Sequence, residues 1–395
     1  MVICALLPRF ALTVAAGGRA ALAAGPVALA PEPGREAVIG EVSAAAEAFG
    51  VRAGLRLGEA LARCPGLRLV APDPAGVGDE WDRLIGALEN IGAAVESERP
   101  GAAYFEEGGL RKLHGGPEGV LAATRRAFGV PVRLGAAPSR FAALAAASRA
   151  RARRAELAPE GPARLAAYLA PLPVSLLANR AETARLPEPL ERFGIHTLGE
   201  LARLPRAALA DRFGEPGPLA RDLARGRDSP LVARRPAEQL EETLELPESG
   251  SGEQLEHALG LLIDRVLARR ERRGRTFRAV VVSATLVEGG TWRMRMTFRE
   301  ALADRRRMRL ALAPRLAELP APADVLRLRI EGFGPPEGHQ RSLLSEPAAI
   351  RSARLREAVR QARAVAGPDA ALHIVPVDPN SRVPERRHTL APWDP

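Results

Sequence analysis

The stretch Val95–Leu113, VESERPGAAYFEEGGLRKL, decides the fold of this chain because it reads as two short strands joined by a tight turn. Pro100-Gly101 supplies the turn, and Ala103-Tyr104-Phe105 with its following glutamates supplies the second strand. Short alternating runs bounded by Pro and Gly are typical of a β-hairpin. The first expectation is therefore a hairpin inside a larger sheet.

Length and composition predict a globular protein with several cores. The chain has 395 residues, of which 46% are hydrophobic and 26% charged. Two cysteines and six scattered histidines predict neither a disulfide framework nor a His/Cys metal site, and the cysteine usage favours a reducing compartment. The Ala-rich beginning lacks the basic start of a signal peptide, and no apolar run reaches 18 residues. We therefore expect a cytoplasmic, nucleoid-associated protein without a membrane partner.

The positive charge is concentrated in one region. The net charge is +10, and residues 262–330 hold 17 arginines against 7 acidic residues, a surplus of ten that equals the net charge. Such a concentration favours an anionic partner, and nucleic acid is the first candidate.

Residues Ala103–Glu106 resemble the S-I-D-E-A-Y-L-D strand turn of Y-family translesion DNA polymerases. In that family the adjacent Asp and Glu hold catalytic Mg²⁺, and the corresponding positions here are Gly101 and Ala102. A third metal-binding Asp of the family corresponds to a position near Leu6, and the steric-gate aromatic to a position near Ala11. The resemblance thus implies a polymerase palm in which no residue is catalytic and no metal is bound.

The segment AEAFGVRAGLRLGEALARCPGLRLV is similar to the fingers of the same family, most specifically at Phe49-Gly50-Val51 and Cys64-Pro65. The Tyr and Arg that grip the incoming triphosphate in the family correspond to Ala44 and Glu47. A carboxylate repels a triphosphate where a cation is needed. Glu47 also fits a solvated helix residue, and under either interpretation the nucleotide clamp is missing.

The segment GAAPSRFAALAAASRARARR resembles the family's V-G-x-S-x-x-K-x-x-A-K-x-A-S motif. Arg140 and Arg151 stand where lysines are common, which implies contacts with DNA phosphates. Arg151 and its neighbours Arg153 and Arg154 equally fit a solvated helix end.

The pattern F-G-I-x-T-L-G-x-L-A-x-L-P after Leu172 resembles a helix-hairpin-helix thumb. Thr197 and Glu200 predict a capping box, and Gly194 and Gly214 predict helix C-termini. The DNA-binding residues predicted in this segment are Gly194, Gly214 and Gly217, and Gly217 is predicted to let backbone N–H groups approach a phosphate. A purely structural helical pair remains the alternative for this segment.

Residues 239–332 read as β-α-β-β-α-β, the order of the little finger of the family. Arginines alternate with apolar residues along two strands, which predicts one core face and one guanidinium face for duplex phosphates. Protection of an edge strand by charge is the alternative. The arginines predicted to bind DNA are Arg293, Arg295, Arg305, Arg306, Arg307, Arg327 and Arg329.

The linker after Gly334-Pro335-Pro336 contains Gln340-Arg341-Ser342-Leu343-Leu344, which resembles the peptide that docks into the sliding clamp. Gln340 would donate and accept oriented hydrogen bonds, and Leu343 and Leu344 would fill an apolar cleft. The tail HIVPVDPNSRVPERRHTLAPWDP resembles the C-terminal segment of the ImuB-like branch of the family.

The resemblance covers nearly the whole chain and implies an α/β (α+β) fold with Y-family architecture. The implied domains are a palm with fingers, a helix-hairpin-helix thumb, a βαββαβ little finger, and a clamp-binding linker with a tail. Their predicted ranges are 1–165 (fingers about 11–70), 166–232, 235–334 and 335–395.

The ImuB-like branch is described as catalytically inactive and as linking the clamp to an error-prone replicative-type polymerase and a RecA-like accessory protein. We therefore expect a non-catalytic, cofactor-free adaptor in SOS-type translesion DNA repair that binds primer-template or damaged DNA and the clamp. An active, divergent polymerase that uses Mg²⁺ at Glu106 and Glu107 is one alternative. A DNA-binding module without clamp or polymerase partners is the other.

Overall fold

The computed structural model describes residues 1–32, 34, 36–235, 240–336 and 347–392. The fold is mixed α/β, and the chain divides into two compact units. The first unit comprises Met1–Glu238 with Ala284–Arg293, and the second comprises Gln239–Ser283 with Met294–Pro395. Within the described ranges, no helix has the length and apolar character needed to cross a membrane. The division into four domains stays a prediction.

Seven strands belong to the first unit. They alternate with helices, so most of the strands that pair in the sheet come from distant parts of the sequence. In chain order they are β1 (Val2–Leu6), β2 (Val27–Leu29), β3 (Arg68–Val70), β4 (Glu96–Arg99), β5 (Ala102–Glu106), β6 (Arg133–Ala137) and β7 (Glu156–Leu157).

Thirteen labelled helices and two 3₁₀ turns complete this unit within the described residues. In chain order they are α1 (Phe10–Ala15), α2 (Arg19–Ala23), α3 (Ala44–Glu47), α4 (Leu57–Arg63), α5 (Pro74–Asn90), α6 (Arg111–His114), α7 (Pro117–Phe128), α8 (Arg140–Arg149), α9 (Pro162–Leu169), the 3₁₀ turns Val174–Asn179 and Ala181–Thr183, α10 (Pro187–Arg192), α11 (Leu198–Arg203), α12 (Arg206–Phe213) and α13 (Pro216–Ala224).

The main sheet has the order β4-β5-β1-β6-β7, and β1 pairs antiparallel with both β5 and β6. The predicted hairpin is confirmed, since β4 and β5 pair antiparallel around Pro100-Gly101. The chain after the thumb helices runs along the open edge of β4. There the backbone N–H of Arg234 donates to Val95 O at 2.8 Å, and that of Val232 donates to the Glu96 carboxylate at 2.5 Å.

The two faces of β1 belong to two separate cores because strand side chains alternate. Ile3 and Ala5 pack with α5 and α7, and Trp81, Leu84, Ile85 and Leu88 of α5 are all buried there. Cys4 packs on the other face against α8, whose run of alanines is buried. A Cβ added to Gly135 of β6 would lie 2.1 Å from Ala147 N, so the glycine permits this close approach.

The second unit contains the predicted β-α-β-β-α-β order, followed by a helix and a small hairpin. Its four-stranded sheet has the order β10-β9-β11-β8. The elements are β8 (Leu240–Gly250), α14 (Glu253–Ala268), the 3₁₀ turn Arg270–Arg272, β9 (Arg275–Leu286), β10 (Thr291–Leu302), α15 (Arg305–Leu316), β11 (Ala323–Pro336), α16 (Pro347–Ala366), the 3₁₀ turn Pro368–Ala370, β12 (Leu372–Pro376), the 3₁₀ turn Pro384–Arg386 and β13 (His388–Pro392).

Candidate functional site

The sheet register brings together the three positions that correspond to the metal ligands of Y-family polymerases. Leu6 of β1 pairs with Ala102 of β5, and the backbone N–H of Leu7 donates to Gly101 O at 2.8 Å. Leu6, Gly101 and Ala102 therefore lie side by side at the end of the β1–β5 ladder. None of them carries a side-chain oxygen, and Mg²⁺ takes oxygen ligands, so these residues do not fit the ion.

The backbone at Gly101 also opposes a carboxylate there. Its φ is +95°, and a Cβ at this position would lie 3.1 Å from both Leu7 O and Phe10 Cβ. An L-residue with a side chain is disfavoured at such a φ. Gly101 therefore forms a turn whose backbone conformation favours glycine.

Glu106 and Glu107, the acids of the alternative polymerase site, lie elsewhere. Glu106 pairs with Val2 at the opposite end of β5, four residues and about 14 Å from Ala102. Glu107 is buried and lies 3.4 Å from the Met1 ammonium and 2.7 Å from the Arg111 guanidinium. Across the described part of the chain, no cluster of three His, Cys, Asp or Glu side chains is placed to hold a metal ion.

Glu47, at the position of the triphosphate-gripping Arg, is neither isolated nor simply solvated. It lies at the end of α3, one turn after Ala44, and its Oε2 accepts a hydrogen bond from Arg9 Nη2 at 2.5 Å. Arg9 Nε also donates to Val42 O at 2.7 Å. The pairing of Arg9 could not be predicted from the sequence pattern. Its φ of +55° is unusual for a non-glycine residue.

Arg140 does not lie where a DNA phosphate could reach it, which corrects the prediction. Its side chain is 6% exposed, ion-paired with Glu96, 2.7 Å from Glu98 and 3.9 Å from Asp228. A guanidinium that is buried among three carboxylates is already neutralised. This pairing could not be predicted from the sequence, because the partners come from β4 and from a segment 88 residues further along the chain.

Arg180 completes this buried cluster. It lies 3.2 Å from Glu98 and 3.5 Å from Asp228, and its side chain is 3% exposed. Asp228 additionally accepts a hydrogen bond from the backbone N–H of Phe141 at 2.8 Å, near the start of α8. The cluster thus joins the sheet, α8, the 3₁₀ region of the thumb and the segment that leaves the thumb.

Arg151 lies beyond the end of α8, in an exposed turn in which it forms an isolated bridge with Arg154. Arg153 and Arg154 are exposed as well. Contact of Arg151 with phosphate stays a prediction.

The thumb glycines have three different environments. The predicted capping box of Thr197 with Glu200 is confirmed, and Gly194 follows α10 with φ +75°. Gly214 ends α12 with φ +64°. Gly217, however, is buried, and a Cβ there would lie 2.3 Å from Leu209 O, so it serves the packing of α13 on α12 and does not face a phosphate.

Acidic residues accompany most of the arginines of the predicted guanidinium face. Arg329 corrects the prediction most clearly, since it is 4% exposed, 3.3 Å from Glu331 and directly across from Glu241 of β8. Arg306 is exposed, whereas Arg327 is half-buried across from Thr243. Further ion pairs are Arg293–Asp79 at 3.3 Å, Arg295–Glu331 at 2.7 Å, Arg305–Asp264 at 2.9 Å, Arg307–Glu300 at 3.6 Å and Arg307–Glu357 at 3.5 Å.

The clamp-binding prediction at Gln340, Leu343 and Leu344 lies outside the described residues.

Several known proteins are similar in sequence to this chain. The sequence profile of the impB/mucB/samB family matches residues 7–148. DNA polymerase IV of Dehalococcoides mccartyi strain CBDB1 is 26% identical over 361 residues, covering 88% of this chain and 90% of that protein. Protein ImuB of Caulobacter vibrioides strain NA1000 is 30% identical over 274 residues, covering 68% of this chain and 58% of that protein.

Among solved structures, DinB from Sulfolobus solfataricus aligns with 84% of this chain and 98% of its own, at 15% identity and a TM-score of 0.47. The insertion ternary complex of Dbh DNA polymerase aligns over the same shares at a TM-score of 0.46.

Proposed function

Because residues 7–148 belong to the impB/mucB/samB family and the chain is a homologue of Y-family DNA polymerases, we propose that it is a non-catalytic adaptor in error-prone translesion synthesis. In this role the chain binds DNA and the sliding clamp. It recruits an error-prone replicative-type polymerase and a RecA-like accessory protein within an SOS-type response, as the similarity to Protein ImuB suggests.

The observation that carries the proposal is the side-by-side placement of Leu6, Gly101 and Ala102 in the β1–β5 register. Phosphoryl transfer by polymerases depends on Mg²⁺ ions that position and neutralise the reacting oxygens. A site built from an aliphatic side chain, a glycine and an alanine offers no ligand for this purpose.

The electrostatics of the neighbouring residues support the same role. An incoming triphosphate needs cations that are free to receive it. Arg9 is engaged by Glu47, and Arg140 is engaged by Glu96, Glu98 and Asp228. Ion pairs within the chain therefore engage both of these arginines.

DNA binding is supported by the basic region of the second unit, and clamp binding by the sequence Gln340–Leu344. A chain that carries both would hold its partners at the primer terminus without extending it.

Two measurements on the same full-length preparation test the proposal. Calorimetry compares clamp binding by the wild type and by a Gln340→Ala, Leu343→Ala, Leu344→Ala variant, and a primer-extension assay with Mg²⁺ or Mn²⁺ measures synthesis. We expect clamp binding by the wild type, at least a tenfold loss in the variant and no extension above background.

Extension that is abolished by Glu106→Ala would establish the divergent polymerase instead. DNA binding without any clamp affinity would leave only the DNA-binding module.

A further inference from the structure

We infer that the second unit binds the DNA phosphate backbone through the arginine bend, residues 269–278, and not mainly through the predicted guanidinium face. The inference rests on the proposed DNA binding and names the part of the second unit that performs it. The bend joins the end of α14 to the start of β9 and includes the 3₁₀ turn Arg270–Arg272.

The bend has a dense excess of positive charge. Its sequence RRERRGRTFR contains six arginines and one glutamate, a surplus of five in ten residues. Arg270 and Arg273 are exposed, and no carboxylate of the described residues forms an ion pair with either. Arg269 is paired with Glu242.

Two phenylalanines hold two further arginines of the bend in place. Arg275 Cζ lies 4.0 Å from the ring centroid of Phe333, and Arg272 Cζ lies 5.9 Å from that of Phe277. The two rings contact each other edge to face at 6.1 Å. Arg275 Nε also donates to Arg272 O at 3.2 Å.

This stacking suits a phosphate ligand for a geometric reason. A guanidinium stacks through its flat face, whereas its N–H donors point outward in its plane. A stacked arginine thus has less conformational freedom to lose when it donates to a phosphate oxygen. Arg272 donates to Leu267 O at 3.4 Å, and Arg275 donates to Glu271 O at 3.5 Å as well as to Arg272 O. These two arginines would therefore fix the shape of the bend, while Arg270 and Arg273 would neutralise the DNA phosphates.

The backbone keeps these cations together. Arg273 adopts φ +51° and donates its N–H to Arg270 O at 2.9 Å, and Gly274 follows with φ +69°. Two successive residues of positive φ reverse the chain sharply, so the bend projects its arginines over a short length. A straight continuation of α14 would instead have spread them around a helix.

The predicted guanidinium face differs in its charge balance. Arg295 and Arg329 share Glu331, and Arg305 pairs with Asp264. A phosphate that approached these arginines would have to displace carboxylates, which reduces the net electrostatic gain. The bend requires no such displacement at Arg270 and Arg273.

The test compares two pairs of substitutions in the full-length chain, each of which removes two positive charges. The first pair is Arg270→Gln with Arg273→Asn, since Asn tolerates positive φ. The second is Arg295→Gln with Arg305→Gln. Binding to a short labelled duplex is measured by fluorescence anisotropy over a series of NaCl concentrations, and circular dichroism verifies folding.

Each phosphate contact contributes about 0.9 to the slope of log K against log salt, so we expect the bend pair to reduce this slope by about 1.8. The Arg295→Gln, Arg305→Gln pair should change it by less than about half as much. A third variant, Arg275→Lys, keeps the charge but loses the stacking, so its slope should persist while its affinity falls about fivefold.

A wild-type slope in the Arg270→Gln, Arg273→Asn variant would overturn the inference. An equal reduction of the slope in the Arg295→Gln, Arg305→Gln variant would also overturn it. If the bend pair does not fold, an Arg275→Lys variant that binds as tightly as the wild type would overturn it. Wild-type protein without salt-dependent DNA binding would instead refute the proposed DNA binding itself.

Discussion

At the scale of single residues, the backbone conformation at Gly101 disfavours any residue that carries a side chain. Its φ of +95° and the 3.1 Å approach of a virtual Cβ to Leu7 O leave little room for any side chain. We predict that Gly101→Ala lowers the free energy of unfolding by about 1–2 kcal/mol, because alanine is strained at this φ. Urea unfolding measures the difference.

Gly58 provides the matched control for this substitution. It lies within α4, where an added Cβ meets nothing within 4 Å, so Gly58→Ala should raise the free energy of unfolding by about 1 kcal/mol. Equal effects of the two alanines would contradict the argument from backbone strain at Gly101.

At the scale of single elements, the capping box of α11 gives a pH-dependent prediction. Backbone N–H groups of Thr197 and then His196 donate to Glu200 and lower the pKa of its carboxyl group. For an acid with a depressed pKa, the stabilisation is present above the ordinary carboxyl value and is lost as the pH falls through the folded-state pKa. Glu200→Ala should therefore lower Tm at pH 7 and not at about pH 2.5.

Glu188→Ala is the control in the neighbouring helix α10, since Glu188 is exposed and forms a surface ion pair with Arg192. This variant should shift Tm little at either pH. A Glu200→Ala deficit that persists unchanged at low pH would show that the carboxylate charge is not what stabilises the cap.

Elements defined by local signals could be predicted from the sequence, whereas long-range contacts could not. The turn at Pro100-Gly101 and the capping box at Thr197 follow from residues within a few positions of one another. A glycine in a helical pair is compatible with phosphate binding and with close helix packing, and the sequence around Gly217 does not distinguish these two roles. Only the position of Leu209 O distinguishes the two.

At the scale of the whole molecule, the surroundings of Arg140 and Arg329 could not be predicted from sequence motifs. Both arginines occupy positions typical of phosphate contacts, yet carboxylates from distant segments surround them. Charge counts along the sequence cannot reveal such pairing, because it depends on tertiary register. The arginine bend could not be identified from the sequence for the same reason. Its contribution to phosphate binding depends on which other arginines are already paired with carboxylates.

The buried cluster of Arg140 and Arg180 yields the prediction for the first unit as a whole. Arg180→Ala removes one partner and leaves buried carboxylates uncompensated, so we expect a loss of about 3–5 kcal/mol in the free energy of unfolding. Denaturant unfolding of the full-length chain measures it.

Arg192→Ala is the comparison on the surface. Arg192 and its partner Glu188 are each 75% exposed, so this change should stay within about 0.5 kcal/mol. A similar loss in the free energy of unfolding for both substitutions would mean that the buried cluster does not stabilise the fold.

The segment that follows the thumb has a consequence for the behaviour of the protein in concentrated solution. A strand at the border of a sheet exposes unpaired N–H and C=O groups on which another chain can assemble. The N–H of Arg234 bonds to Val95 O just before β4, and the N–H of Val232 bonds to the Glu96 side chain. These residues thereby cover one end of the border, where another chain could otherwise assemble.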